Sequence, residues 1–179
     1  KDKCITIIST GYTLIIRGFW MSKKSRARVI IPCKFGYLNC WRPGVQYGGG
    51  QKYSVSAIIS KKDTQTMEKI QEAIEYVKNN SLQKWGGRIP NNLRSPIHDG
   101  DEEKPDNPIY QNCFYINAKS KEAPQVVDEN IEPIKDQTQV YSGCSGNISV
   151  IFYGYNFSGN KGIAAALGNI QKLAVLALG

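Results

Sequence analysis

The sequence has few of the residues from which catalytic and metal sites are usually built. It contains one histidine, five scattered cysteines with no C-x-x-C pair, and no G-x-x-x-x-G-K-S/T loop. A single histidine leaves no Ser-His-Asp or Cys-His arrangement to identify, and the cysteine pattern supports neither a zinc ribbon nor a redox motif. The sequence therefore predicts a protein that is not an enzyme and that needs no cofactor and no metal.

The sole histidine stands in the acidic stretch SPIHDGDEEK, which leaves one enzymatic alternative open. Its carboxylates, Asp99, Asp101, Glu102 and Glu103, would serve a metal-dependent nuclease only if acids from separate elements converged on the ion. Adjacent acids in one loop do not guarantee that geometry, and D-G-D is a typical turn sequence. We therefore interpret this stretch as a solvated turn.

Long apolar runs are missing as well, even from KDKCITIISTGYTLIIRGFW at the start of the chain. Polar residues and a glycine interrupt this stretch, no A-x-A-like cleavage site follows it, and it is too short and too polar to span a bilayer. We interpret residues 1–20 as an upstream extension before a start near Met21, and residues 21–179 as one domain. Without an export signal, the cysteines are expected to be reduced cytosolic thiols.

Negative charge is in deficit relative to positive charge. The chain has 23 lysines and arginines against 15 aspartates and glutamates, a formal net charge of +8. Its 179 residues, 41% of them hydrophobic, suit a single globular domain with a real core. A basic balance favours a polyanionic partner such as nucleic acid, although it does not determine the fold.

Short apolar segments between turn residues predict a mainly β protein with one confident helix. Four segments read as strands: RARVIIPCKF (26–35), KYSVSAIIS (52–60), CFYINAKS (113–120) and QVVD (125–128). Asp63 as N-cap, followed by apolar residues at helical spacing, predicts an amphipathic helix over about 63–79. Residues 80–111, punctuated by proline and glycine, predict a long loop, and such loops are usually functional or mobile.

The stretch YSGCSGNISVIFYGYN predicts a further strand with both faces in use. One parity carries Ile148, Val150 and Phe152, which we expect to face the core, and the other carries Tyr153 and Tyr155. High β-propensity alone would explain these tyrosines. The last segment, KGIAAALGNIQKL, is ambiguous, because alanine and leucine favour a helix whereas its glycines and the preceding strands do not. These elements suggest a small barrel or sandwich with a helical insert.

Cations and aromatic rings occur together along the chain. The candidate nucleic-acid contacts are Lys61, Lys62, Lys84, Trp85, Arg88, Arg94, Lys119, Lys121, Tyr153 and Tyr155. This mixture suits a single-stranded nucleic acid, because cations follow the phosphates and a flat ring stacks on any base. Trp85 in KWGGR is the most suggestive ring, since glycines and cations flank it.

The order of these segments closely resembles that of the phage and prophage single-stranded DNA-binding proteins, a family first catalogued as a domain of unknown function. The resemblance runs from Arg26 to Leu173 through ARVIIP, KYSVSAIISKKDTQTMEKIQEAI, KWGGRIPNNLRSPIHDGDEE, CFYINAKSKEAPQVVD and VYSGCSGNISVIFYGYNFSGNKGIAAALGNIQKL. It implies an OB-like five-stranded barrel closed by KGIAAALGNIQKL as a strand. It also implies a sequence-tolerant single-stranded DNA-binding protein, with the lysine- and tryptophan-bearing loop and the tyrosine strand lining the DNA groove.

The resemblance further implies a place and partners for the protein. These are the cytoplasm of a bacterial host, single-stranded DNA, phage replication or recombination proteins, and a homodimer as one assembly. Residues 1–20 have no counterpart in the family, and LAVLALG stops where its members usually continue into an acidic tail that recruits partners. An RNA-binding protein remains an alternative, as does a phage structural or assembly protein whose basic face meets an acidic protein partner.

Overall fold

The computed structural model describes residues 26–47 and 49–174, in which β-structure dominates. The described strands are β1 Arg28–Val45, β2 Gln51–Ser60, β3 Ile97–Asp99, β4 Cys113–Ser120, β5 Val126–Val127, β6 Ser145–Phe157 and β7 Asn160–Lys172. The described helices are α1 Thr64–Asn80 and the single turn α2 Gly100–Glu103, together with 3-10 turns at Leu82–Trp85, Pro108–Tyr110 and Gln137–Gln139. The extension expected at residues 1–20 lies outside the described residues.

Five strands close into a barrel. β1 pairs antiparallel with β2 and with β6, β2 pairs with β4, and β6 pairs with β7. A parallel contact between β4 and β7 closes the ring. This arrangement confirms the mainly β, OB-like five-stranded barrel expected from the sequence. It also confirms that KGIAAALGNIQKL is the closing strand, because pairing on both sides outweighs its helical propensity.

The core fills the barrel as the strand alternation predicts. Ile148, Val150 and Phe152 of β6 are almost completely buried, and they pack with Ile31 and Phe35 of β1 in one hydrophobic cluster. β6 and β7 form a long hairpin whose turn residues, Ser158 and Gly159, both have positive φ. Such turns match the twist of paired strands, so the hairpin extends without splaying.

Helix α1 packs against the barrel with one apolar face. Asp63 accepts a hydrogen bond from the backbone N–H of Thr66 at 3.2 Å, which starts the helix where the sequence predicts. Ile70, Ala73, Ile74 and Val77 are buried and join the core of the barrel. The predicted helix over 63–79 is therefore confirmed, with observed bounds one residue later.

The first strand is longer than the sequence predicts, because it continues through the glycine and proline cluster to Val45. Its pairing with β2 shifts register between Gly36 and Asn39 and again between Asn39 and Gly44. These bulges absorb the extra residues, and Pro43, which has no N–H to donate, lies within the second shifted interval.

The long loop is also more ordered than predicted, because it contains β3 and α2. Arg94 pairs through its backbone with β7, donating to the carbonyl of Lys161 at 3.1 Å and accepting from Ile163 at 3.0 Å. A few residues later, β3 pairs with β4, with Ile97 opposite Ile116. The loop therefore fills the gap where β4 and β7 diverge.

Candidate nucleic-acid interface

The wall of the barrel carries basic residues and no acidic ones. After Asp2, every aspartate and glutamate of the sequence lies in residues 63–75, 99–106 or 122–136. The barrel strands β1, β2, β4, β6 and β7 therefore contain no carboxylate side chain. Strands that carry cations and no carboxylates favour an anionic ligand over a cationic one.

A strip of small and polar side chains crosses the outside of this wall. Ser54 on β2 is opposite Lys119 on β4, and Lys119 is opposite Ala166 on β7. Lys119 and Asn117, the preceding outward residue of β4, are both exposed. The strip is therefore shallow at β7 and has an exposed lysine side chain beside it.

Both tyrosines of β6 lie on the face away from the core, as their parity predicts. Tyr153 pairs with Ala164 across the hairpin and is 44% exposed. Tyr155 pairs with Gly162 and is half-buried, and a Cβ on Gly162 would lie 2.6 Å from the Tyr155 hydroxyl. The ring of Tyr155 therefore lies over a glycine, and Tyr153 has the larger face available for stacking.

The segment around Trp85 is fastened to the β6–β7 hairpin. Trp85 is only 2% exposed, and its indole N–H donates to the carbonyl of Tyr155 at 3.0 Å. This corrects the expectation of an exposed stacking ring, because the flanking glycines form the turn that follows the buried ring. Lys84 is exposed, and its ammonium donates to the carbonyl of Gly154 at 3.0 Å, which holds the charge beside β6.

Two arginines of the long loop differ in how firmly they are placed. Arg94 is exposed and donates to the side-chain oxygen of Asn160 at 3.0 Å, next to the turn of the β6–β7 hairpin. Arg88 is exposed on the loop that follows Trp85. The structure thus brings Lys84 and Arg94 to the same hairpin as the two tyrosines.

Lys61 is engaged in ion pairs with two aspartates at the protein surface. Its ammonium lies 2.7 Å from a carboxylate oxygen of Asp99 and 2.7 Å from one of Asp101. These contacts lower the pKa of both carboxyl groups and raise the pKa of Lys61. This corrects the expectation that Lys61 offers a free cation, because two carboxylates already surround it. Its neighbour Lys62 is exposed.

Other residues at the ends of the barrel add to the candidate surface. Lys121 is exposed just after β4, as expected for a phosphate contact. Lys161 was not expected from the sequence, and its ammonium donates to the carbonyl of Trp85 at 3.2 Å. Tyr47 and Phe157 were not expected either, and both are exposed at the tips of the β1–β2 and β6–β7 hairpins. The sequence pattern that could have indicated these two exposed rings is an aromatic residue beside a glycine-containing turn, as in QYGGG and FSGN.

The acidic stretch around His98 does not form a metal-binding constellation. Glu103 lies 2.8 Å from the ring of His98 and accepts a hydrogen bond from the hydroxyl of Tyr115. Within residues 26–47 and 49–174, no group of histidine, cysteine, aspartate and glutamate side chains is arranged to hold a metal ion. Over the same residues, no helix is both long and apolar enough to cross a membrane.

Comparison with known proteins finds relatives among phage proteins. Residues 27–175 match the family described as Enterobacter phage Enc34, ssDNA-binding protein. The p50 protein of Acyrthosiphon pisum secondary endosymbiont phage 1 is 35% identical over 133 residues, which are 69% of this chain and 69% of p50.

The structure is also similar to solved structures of phage proteins. One is the single-stranded DNA-binding protein from bacteriophage Enc34 in complex with ssDNA, with a TM-score of 0.72, 24% identity, and coverage of 84% of this chain and 92% of the other. Another is gp2.5, a single-stranded DNA-binding protein encoded by bacteriophage T7, with a TM-score of 0.55, 14% identity, and coverage of 85% and 90%.

At these identities the structural likeness establishes the fold, and it agrees with the barrel described above. The family match spans nearly all of the described residues and confirms the resemblance seen in the sequence. The matched family is described as an ssDNA-binding protein, which agrees with the expectation that the chain is not an enzyme. The chain belongs to the family of the Enterobacter phage Enc34 ssDNA-binding protein.

Proposed function

We propose that this protein binds single-stranded DNA with little sequence preference and acts in phage DNA replication or recombination inside a bacterial host. The observation that carries the proposal is the acid-free barrel wall, where exposed Lys119 and Tyr153 stand on opposite sides of β7. The family relationship favours DNA over RNA and over an acidic protein partner. A single strand suits the surface, because its unpaired bases are free to stack on exposed rings.

The proposed path for the DNA crosses the strip over β7. Neighbouring strands are about 4.8 Å apart, so β4 and β6 lie roughly 10 Å from each other with β7 between them. Ala164 and Ala166 leave the space above β7 open, and Lys119 and Tyr153 border it. Cations around the β6–β7 hairpin extend the positive surface beyond Tyr153: Lys84, Arg94 and Lys161.

Equilibrium titrations with fluorescently labelled nucleic acids test the proposal directly. Oligothymidine, a duplex of mixed sequence and an RNA of matched length would be compared at the same salt concentration by anisotropy. We expect tighter binding to the single DNA strand than to the duplex, with little change between DNA sequences. Equal affinity for duplex and single strand would contradict the proposal, and a clear preference for the RNA would favour the RNA-binding alternative.

Variants separate the phosphate contact from the stacking contact. Lys119→Ala should reduce the slope of log affinity against log salt by about 0.7, because one phosphate is no longer neutralised. Tyr153→Ala should weaken binding by about 1–3 kcal/mol and leave that slope unchanged. Lys69→Ala, on the exposed face of α1, is the matched control and should bind like the wild type. Unchanged binding by folded Tyr153→Ala would show that the ring serves only the sheet surface.

The assembly is part of the same proposal. We propose that phage replication or recombination proteins are partners of this protein, and that two copies of the chain form a homodimer. Light scattering of the purified protein, with and without oligothymidine, checks the second statement. A mass equal to one chain under both conditions would exclude the homodimer while leaving DNA binding intact.

A further inference from the structure

A lysine is held over three aromatic rings on the outer face of β1, β2 and β4. The ammonium of Lys104 lies 4.5 Å from the ring centroid of Tyr37, 4.2 Å from that of Tyr110 and 4.8 Å from that of Tyr115. Tyr37 and Tyr110 are stacked, with centroids 6.2 Å apart. We call these four residues the tyrosine–lysine cluster.

A bulge in β1 places Tyr37 in this cluster. Gly36 is opposite Ser56 and Asn39 is opposite Ser54, so β1 has one residue more than β2 across this interval. Tyr37 adopts a left-handed conformation with φ of 43°. A positive φ is a genuine outlier for a bulky side chain, and bulges commonly redirect a side chain next to a functional site.

Only one ring of the cluster is open to solvent. Tyr110 is fully buried and donates to the hydroxyl of Ser56 at 3.1 Å, and Tyr115 is nearly buried and donates to Glu103 at 3.0 Å. Tyr37 is 61% exposed. Packing and hydrogen bonds therefore account for the buried positions of Tyr110 and Tyr115, whereas most of the surface of Tyr37 lies in solvent.

The charge of Lys104 is also unused within the described part of the chain. Acidic residues precede it in the sequence, yet Asp101 is paired with Lys61, and Glu103 is paired with His98. Among residues 26–47 and 49–174, no carboxylate forms an ion pair with Lys104. Its ammonium is held in place by rings, and a ring face attracts a cation without neutralising its charge.

We propose that Tyr37 and Lys104 form a nucleotide subsite, in which a base stacks on the free face of Tyr37 and Lys104 contacts a neighbouring phosphate. This inference rests on the proposed binding of single-stranded DNA and extends its path. Asn39 is opposite Ser54, and Ser54 is opposite Lys119, so the strip across β7 continues over β2 to the residues beside Tyr37. One DNA strand then passes from the tyrosine–lysine cluster over Lys119 to β6.

Two substitutions of Tyr37 separate a binding role from a structural one. Tyr37→Phe keeps the ring and should bind oligothymidine like the wild type. Tyr37→Asn removes the ring but tolerates a left-handed backbone, so the melting temperature should not fall. Its affinity should be at least about 5-fold weaker, with an unchanged salt slope, because one stack is lost. Wild-type affinity in Tyr37→Asn would overturn the subsite, whereas a wild-type protein that fails to bind oligothymidine would overturn the proposed function instead.

Cross-linking of the unaltered protein gives a readout that does not depend on the stability of a variant. Ultraviolet irradiation of the complex with oligothymidine, followed by digestion and mass spectrometry, should identify thymidine attached to the peptide that contains Tyr37. Cross-links confined to other peptides would overturn the subsite.

The phosphate contact is tested by the salt dependence of Lys104→Gln. We expect its slope of log affinity against log salt to fall by about 0.7, whereas the control Lys69→Gln should keep the wild-type slope. An unchanged slope in Lys104→Gln would show that this lysine only packs on the rings.

Discussion

Replacing Trp85 distinguishes a packed ring from a DNA-stacking ring. A tryptophan buries about 150–250 Å², which at about 25 cal/mol per Å² corresponds to roughly 4–6 kcal/mol. Trp85 is 2% exposed and donates one hydrogen bond. Trp85→Ala should therefore lower the free energy of unfolding by about 3–5 kcal/mol, the range typical of buried tryptophan truncations. Trp85→Phe, which keeps most of the packing, should cost about 1–2 kcal/mol, chiefly through the lost hydrogen bond.

Urea unfolding and oligothymidine binding are measured on the same samples. We expect the folded fraction of each Trp85 variant to bind with wild-type affinity, because no face of the indole is available to a base. Trp41→Phe is a matched control, since Trp41 is half-buried and donates a similar bond to the carbonyl of Val140 at 3.1 Å. If Trp85→Phe loses affinity at least 10-fold while keeping its stability, the ring meets DNA and the packing argument is refuted.

Two further predictions concern charged and titrating groups. Lys61 lowers the pKa of Asp99 in the folded protein. The ion pair therefore stabilises the fold at pH values above the usual carboxyl pKa of about 4, and this stability is lost as the pH falls through the lowered pKa of Asp99. Urea unfolding at pH 7 should thus show Lys61→Met to be less stable than the wild type, and the difference should shrink on acidification. Lys62→Met is the control, and an equal loss of stability in this variant would contradict the ion pair of Lys61. Burial raises the pKa of Cys40 to about 11. Peptide mapping after iodoacetamide treatment at pH 8 should find Cys40 unmodified in native protein and modified in urea, and rapid native labelling of this buried thiol would contradict its burial.

The interior of the barrel could be predicted because alternate side chains of a strand point to the same face, and the apolar face is the one that is buried. Ile148, Val150 and Phe152 had to share a face, and a face of three large apolar side chains is stable only inside. The last strand was harder, because a run of alanines has high helix propensity. Its pairing partners decide its conformation, and those partners are distant in the sequence.

Exposure of single aromatic rings could not be predicted from their neighbours in the chain. Trp85 has glycines and cations beside it, yet those polar neighbours only form the turn while the ring enters the core. Gly154 on β6 makes this possible, because a Cβ there would lie 2.9 Å from the indole. Tyr37 is the reverse case, since a one-residue bulge turns it outward and no local pattern announces a bulge.

Ion-pair partners depend on strand register in the same way. Lys104 directly follows Glu103 in the sequence, and adjacency suggests that the stretch DGDEEK neutralises its own lysine. The register of β3 on β4 instead places Asp99 opposite Phe114, and the register of β2 on β4 ends at Ser60 opposite Cys113. Lys61 leaves β2 at this point, which is why it meets Asp99. The carboxylate of Asp99 is then paired with a lysine 38 residues away in the sequence, and the ammonium of Lys104 lies over the ring of Tyr110 on the outer face of the barrel.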